Sequence, residues 1–233
     1  MLQGGTVQGY GNGLSNAIVG TSGNNLLNGE AGADSMYGGT GNDVYFVDNA
    51  SDLVIENASE GNDTVYASVD YALAANVDNL ILQGGAVQGY GNALSNAIYG
   101  TSADNLLDGG TGADAIYGGA GNDAYFLDNV SDLVIEKLNE RSDTAYASAN
   151  YRLSANVEYL VLQGGAVQGY GNSSSNAIVG TSGNNLLNGE GGADAMYGGA
   201  GNDVYFVDNG GDLVIENAND GNDTVYASID YRL

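Results

Sequence analysis

The chain has 233 residues, of which 39 are Gly, 29 are Asp or Glu and only four are Lys or Arg, and it lacks Pro, Cys, His and Trp. A formal net charge of −25 excludes nucleic acid and anionic membrane surfaces as partners, because both repel it. Disorder would suit so many acids and glycines. However, 43% hydrophobic residues and 17 tyrosines suffice for a core, so the acids read as a charge balance completed by something positive.

The absence of cysteine means no disulfides and leaves the compartment open. No apolar run is long enough to span a membrane. The opening MLQGGTVQGY has neither the basic nor the apolar region of a secretory signal.

In chain order, LQGG recurs at 2–5, 82–85 and 162–165 and marks three copies, 1–80, 81–160 and a shortened 161–233. The middle copy departs most, reading EKLNERSD at 136–143 against ENASEGND and ENANDGND. A shorter period of nine runs inside each copy. From Gly11 the units are GNGLSNAIV, GTSGNNLLN, GEAGADSMY, GGTGNDVYF and VDNASDLVI; with Glu56 and Asn57 skipped, ASEGNDTVY follows. The sixth place holds Asn16, Asn25, Asp34, Asp43, Asp52 and Asp63, and the eighth holds Ile18, Leu27, Met36, Tyr45, Val54 and Val65.

A three-residue strand such as Ser35-Met36-Tyr37 points its middle side chain one way and its flanks the other. The six preceding residues, rich in Gly and Asn, suit tight turns with positive φ. Turn and strand alternating every nine residues predict a flattened parallel β-coil, two units per winding, with eighth-place residues stacked inside. Helices are excluded, since no 3.6-residue pattern appears. The stretch 67–90 breaks the count and is read as one or two larger windings, with strands near Asn79–Gln83 and Ala86–Gly89. If each copy holds a whole number of windings, Ile18, Ile98 and Ile178 share one inner column, and the copies form one continuous solenoid. Seventh and ninth places then put Tyr37, Leu53 and Ile55 on one outer face and Val44, Phe46 and Tyr66 on the other.

GGTGNDVYF at 38–46, GGAGNDAYF at 118–126 and GGAGNDVYF at 198–206 match the nonapeptide G-G-x-G-x-D-x-U-x. GEAGADSMY departs from it only at Glu30. The chain resembles the RTX, or haemolysin-type, calcium-binding repeats of secreted bacterial proteins over essentially its whole length. That resemblance implies a parallel β-roll that binds several calcium ions, folds as they bind, and leaves the cell by type I secretion to an extracellular or cell-surface location.

The chemistry of the residues agrees. Calcium takes six to eight oxygens from carboxylates and backbone carbonyls. One Asp per turn supplies charge, and glycine turns expose carbonyls. In a two-unit winding, neighbouring turns on one edge are separated by two nonapeptides. Asp34 is expected beside Asp52, Asp114 beside Asp132, and Asp194 beside Asp212. On the other edge Asp43 lies between Asn25 and Asp63, with Asp123/Asp143 and Asp203/Asp223 equivalent. Stacked carboxylates repel unless a cation sits between them. The candidate metal residues are therefore Asp34, Asp43, Asp52, Asp63, Asp114, Asp123, Asp132, Asp194, Asp203, Asp212 and Asp223. With them go the turn glycines Gly38, Gly39, Gly41, Gly118, Gly119, Gly121, Gly198, Gly199 and Gly201. Asn16 and Asn25 read as turn formers. Arg141 replaces glycine beside Asp143 and is read as bringing its own positive charge, so Asp143 is left off the candidate set.

Identical repetition of the carboxylates, with no His or Cys for nucleophilic chemistry, argues against an enzyme. The expected function is a secreted calcium-binding structural or adhesive protein of a surface, matrix or filament. The rival is the repeat portion of a secreted lipase, protease or epimerase. A start on the repeat's second residue and a stop at Tyr231-Arg232-Leu233, both uncapped, are read as a piece of a longer array or a subunit stacking end to end.

Overall fold

The computed structural model describes residues 7–232, so the expectations about the chain's first six residues and Leu233 lie outside it. The chain divides into two compact units at Gly118 and Gly119, inside the second copy. Both are all-β. No helix occurs among the described residues, and none therefore is long and apolar enough to cross a membrane.

The first unit contains β1 (Gln8–Tyr10), β2 (Ala17–Val19), β3 (Leu26–Asn28), β4 (Ser35–Tyr37), β5 (Val44–Val47), β6 (Leu53–Ile55) and β7 (Thr64–Ala67). It continues with β8 (Tyr71–Ala72), β9 (Asn79–Leu82), β10 (Gln88–Asn92), β11 (Ala97–Tyr99), β12 (Leu106–Gly110) and β13 (Ala115–Tyr117). Odd-numbered strands form one parallel row, β1 through β13. The even-numbered ones form β2-β4-β6 and β8-β10-β12. Successive strands alternate between walls, so two make a winding, and wall neighbours such as Leu26 and Val44 pair across two nonapeptides. This is the expected parallel β-solenoid.

Strand middles face inward. Leu27, Tyr45, Val65, Leu80, Ile98 and Ile116 form one buried column, and Ile18, Met36 and Val54 line the other wall. The turns use both glycine's freedom in φ and its missing Cβ: at Gly39 and Gly41 a Cβ would also lie 2.6 Å from Thr21 O and 2.7 Å from Gly23 C of the preceding winding. Gly39 and Gly41 hold φ of 93° and 129°, where L side chains are strained. Gly38 has an ordinary φ and serves a different purpose, described below.

The second unit repeats the pattern with β14 (Ala124–Leu127), β15 (Leu133–Ile135), β16 (Thr144–Ala147), β17 (Tyr151–Arg152), β18 (Tyr159–Leu162) and β19 (Gln168–Tyr170). Then come β20 (Ala177–Val179), β21 (Leu186–Asn188), β22 (Ala195–Tyr197), β23 (Val204–Val207), β24 (Leu213–Ile215) and β25 (Thr224–Ala227). Its rows run β14-β16-β18-β20-β22-β24 and β17-β19-β21-β23-β25.

One expectation is overturned. Between Gln8 and its 80-residue equivalent Gln88 lie nine strands, β1 to β9, which is four and a half windings. Copy two therefore starts on the opposite wall: Ile18 on β2 stands in the even row, and Ile98 on β11 in the odd row. The cause is β8, a two-residue strand whose buried Tyr71 pairs with Gly89. The two strands expected in this stretch run Asn79–Leu82 and Gln88–Asn92. The half winding brings Tyr99 and Tyr117 of copy two onto the same outer face as Phe46 and Tyr66 of copy one. The register runs Phe46, Tyr66, Ile81, Tyr99, Tyr117, with ring centroids 5.3 Å apart for Phe46–Tyr66 and 4.3 Å for Tyr99–Tyr117.

Candidate metal centres

The sixth-place side chains fold inward at the turns, and Asp34, Asp43, Asp52, Asp63, Asp114, Asp123, Asp132, Asp194, Asp203 and Asp212 are all buried. Each ladder is tied from winding to winding in one way: the sixth-place N–H donates to the next sixth-place Oδ1. Asn25 donates to Asp43 at 2.6 Å, and Asp43 to Asp63 at 2.8 Å. Asn16 donates to Asp34 at 2.7 Å, and Asp34 to Asp52 at 2.9 Å. The same bonds join Asn96 to Asp114, Asp123 to Asp143, Asp194 to Asp212, and Asp203 to Asp223.

One carboxylate oxygen is thereby satisfied; the fate of the second divides the residues. Oδ2 of Asp34, Asp43, Asp63, Asp143, Asp194 and Asp203 is buried with no hydrogen-bond partner. In Asp52 and Asp212, Oδ2 instead accepts the loop N–H groups of Asp48 and Asn49, and of Asp208 and Asn209. Asn129 N–H similarly donates to Asp132 Oδ2 at 3.0 Å. Asn16 and Asn25 turn their Oδ1 onto Asn12 and Thr21 N–H of their own turns.

The first glycine of the motif makes room for the unpartnered oxygen. A Cβ at Gly38 would lie 2.1 Å from Asp43 Oδ2, and one at Gly29 2.2 Å from Asp34 Oδ2. At Gly198 it would lie 2.3 Å from Asp203 Oδ2; Gly118 holds the same place in its nonapeptide. The second and fourth glycines supply positive φ: Gly119 and Gly121 at 95° and 139°, Gly199 and Gly201 at 88° and 132°.

Four residues outside the expected set, Glu56, Glu136, Glu216 and Asp143, join these sites. Asp43, Glu56 and Asp63 bring carboxylate oxygens within 4.8 Å of one another, as do Asp123, Glu136 and Asp143, and Asp203, Glu216 and Asp223. Asp143 is thus drawn in despite its neighbour. Arg141, strained at φ 94°, forms no ion pair with Asp143 among the described residues. Asp78 Oδ2 also extends the ladder by accepting Asp63 N–H at 2.8 Å, and Glu158 Oε2 does the same for Asp143 at 2.9 Å. The spacing carried a signal for the glutamates, since Glu56 stands two nonapeptides beyond Gly38 and so occupies the first place of the next winding.

Burial of like charges shapes the protonation of these groups without a cation. Desolvation, with the neighbouring acids adding to it, pushes Glu56 and Glu136 up to about 8, Asp143 to about 7, and Asp63 and Asp194 to about 6. Desolvation also raises Asp43 and Asp203. Buried carboxylate oxygens without donors, in turns that a single methyl would fill, are hard anionic ligands of the kind calcium takes. A bound calcium ion supplies the positive charge that the missing donors do not.

Comparison with known proteins agrees with this geometry. A family model described as RTX calcium-binding nonapeptide repeat (4 copies) matches residues 10–45, 90–129 and 170–205. Two endo-1,3-1,4-beta-glycanases of Rhizobium meliloti (strain 1021), ExsH and EglC, are 34% and 33% identical over 82 residues, 35% of this chain and 18% of each relative. The chain thus spans less than a fifth of the length of these curated relatives. With glycine places, buried acids and solenoid in agreement, the repeats of this chain belong to the RTX calcium-binding nonapeptide family.

Proposed function

We propose that the chain is a calcium-folded structural or adhesive module of a secreted bacterial protein, acting outside the cell and not as a catalyst. The observation that carries the reading is the ladder of buried, unpartnered carboxylate oxygens. Where these carboxyls are ionised, a fold that buries them is stable only with cations in place, and calcium is scarce where such a protein is made and abundant outside. The outward column of Phe46, Tyr66, Ile81, Tyr99 and Tyr117 is the surface offered for lateral contact with other copies. Circular dichroism at pH 8 tests the calcium requirement: coil in chelator, β structure in millimolar calcium, and poor replacement by magnesium, which demands octahedral geometry. Identical β spectra with and without chelator would sink the reading.

A second reading has its own support. The similarity to two endo-glycanases over 82 residues fits the repeat portion of a larger secreted enzyme. Light scattering and electron microscopy separate the two. Calcium-dependent oligomers that dissolve in chelator support a structural role, and a strictly monomeric loaded protein at high concentration favours the enzyme-borne segment.

A further inference from the structure

We propose that Glu56, Glu136 and Glu216 are calcium ligands, each the third carboxylate of a site that recurs once per 80-residue copy and binds more tightly than the sites on the opposite edge. The inference rests on the calcium reading above and adds ligands from outside the nonapeptide motif.

The first place of the motif lies against the sixth-place acid. At Gly38 a Cβ would run into Asp43 Oδ2 and, at 2.3 Å, the Tyr45 hydroxyl, so a first-place side chain points straight at the acid. One winding on, that place holds Glu56 on one edge and, between the two, Val47 on the other. Val47 is buried and apolar. Glu56 is only 6% exposed and reaches back into the turn. Its Oε1 accepts the Tyr45 hydroxyl proton, and the same hydroxyl accepts Gly38 N–H at 2.8 Å. This clamp leaves Glu56 Oε2 buried and without a donor, as are Oδ2 of Asp43 and Asp63, each 1% exposed.

Three buried carboxylate oxygens that no protein donor reaches need a cation when they are ionised. The spacing suits one ion. Two oxygens each about 2.4 Å from a shared calcium lie at most about 4.8 Å apart, and one carboxylate oxygen from each of the three residues lies within 4.8 Å of the other two. On the other edge the partner of Asp34 is Asp52, both of whose oxygens already accept N–H groups. Ligand charge governs calcium affinity, so the edge with three carboxylates fills first. Tyr125 with Glu136, and Tyr205 with Glu216, repeat the clamp.

The full chain is titrated with calcium, and bound ions are counted by equilibrium dialysis, for the wild type and for Glu56→Gln, Glu136→Gln and Glu216→Gln, singly and together. Each single variant is expected to weaken one ion of the tightest class by about tenfold or more, and the triple variant three, with wild-type circular dichroism at saturating calcium. Should the triple variant fail to fold, the singles decide, since each leaves two glutamate sites intact. An unchanged number and affinity of ions in all three singles overturns the proposal and leaves the glutamates as hydrogen-bond partners of tyrosine. A wild-type chain that binds no calcium overturns the calcium reading itself, a separate result.

Discussion

Withdrawing calcium should make this protein more stable in mild acid than at pH 8, the reverse of its behaviour when loaded. Glu56 is held at about 8 in the metal-free fold, against 4.5 for the ordinary group. The folded state therefore keeps a proton that the open chain releases, and stability is lost as pH rises from about 4.5 through about 8. Once both states are ionised the loss is about 5 kcal/mol. Glu136 stands equally high, and the two together reach about 10 kcal/mol, which is the size of a typical domain's whole stability. The metal-free chain is thus expected to be unfolded at pH 8 and to regain β structure by pH 5.5, still above its sequence pI of about 4.1. With calcium bound, protons must leave before the ion enters, so stability rises with pH over the same window. The assay is circular dichroism across pH 5.5–8 in chelator and in millimolar calcium, with scattering monitored for precipitation. A chelated protein whose β signal is flat, or weaker at pH 5.5, would refute the reasoning.

Other consequences follow from the turn geometry. Gly38→Ala pushes a methyl into the Asp43 carboxylate; we expect a loss of about 1–3 kcal/mol and a raised calcium midpoint in a folding titration. Gly39→Ala should cost about 1–3 kcal/mol through its positive φ and the overlap of its methyl with the Thr21 carbonyl while leaving the number of bound ions unchanged. Replacing Asp43, Asp123 and Asp203 by Ala should raise the calcium needed for folding far more than replacing the exposed Asp208 and Asp230; equal effects would mean that bulk charge governs. Asp70 and Asp78 are unsuitable controls, because they accept the N–H groups of Val87 and Gln88, and of Asp63. Replacing Phe46, Tyr66, Tyr99 and Tyr117 by Ser should abolish any calcium-dependent oligomer seen by light scattering without lowering ion uptake.

The solenoid was legible because its two determinants have a fixed period: an apolar eighth place that stacks inside, and an acidic or amide sixth place that closes the turn. Glu56 was missed for the same reason. Counting nines treats Glu56 and Asn57 as an interruption, although the chain lengthens only after Glu56 and leaves it in register with Gly38. Asp78 and Glu158 sit in the longer windings, where no period applies, and only the N–H groups of Asp63 and Asp143 reveal them. Tyr71–Ala72 is too short to announce itself as a strand; its pairing depends on Gly89 and Tyr90 of β10, a whole winding further along the chain. Glycine's two uses were likewise indistinguishable in sequence, since room for a carboxylate and freedom of φ both read as Gly.

The half winding between Gln8 and Gln88 means that, within the first unit, the outer surface does not repeat with the sequence's 80 residues. A gene that gains or loses a copy wound like the first would turn the strands that continue it to the opposite wall, so residues that met a neighbour on one side would meet it on the other. Gain or loss of two copies restores the original facing. Selection for a surface with distinct sides would therefore act on copies in pairs, whereas a surface that tolerates single duplications must present compatible stripes both ways round. The mixing of copy-one and copy-two aromatics in a single column, Phe46 and Tyr66 with Tyr99 and Tyr117, is what such tolerance looks like at the level of side chains.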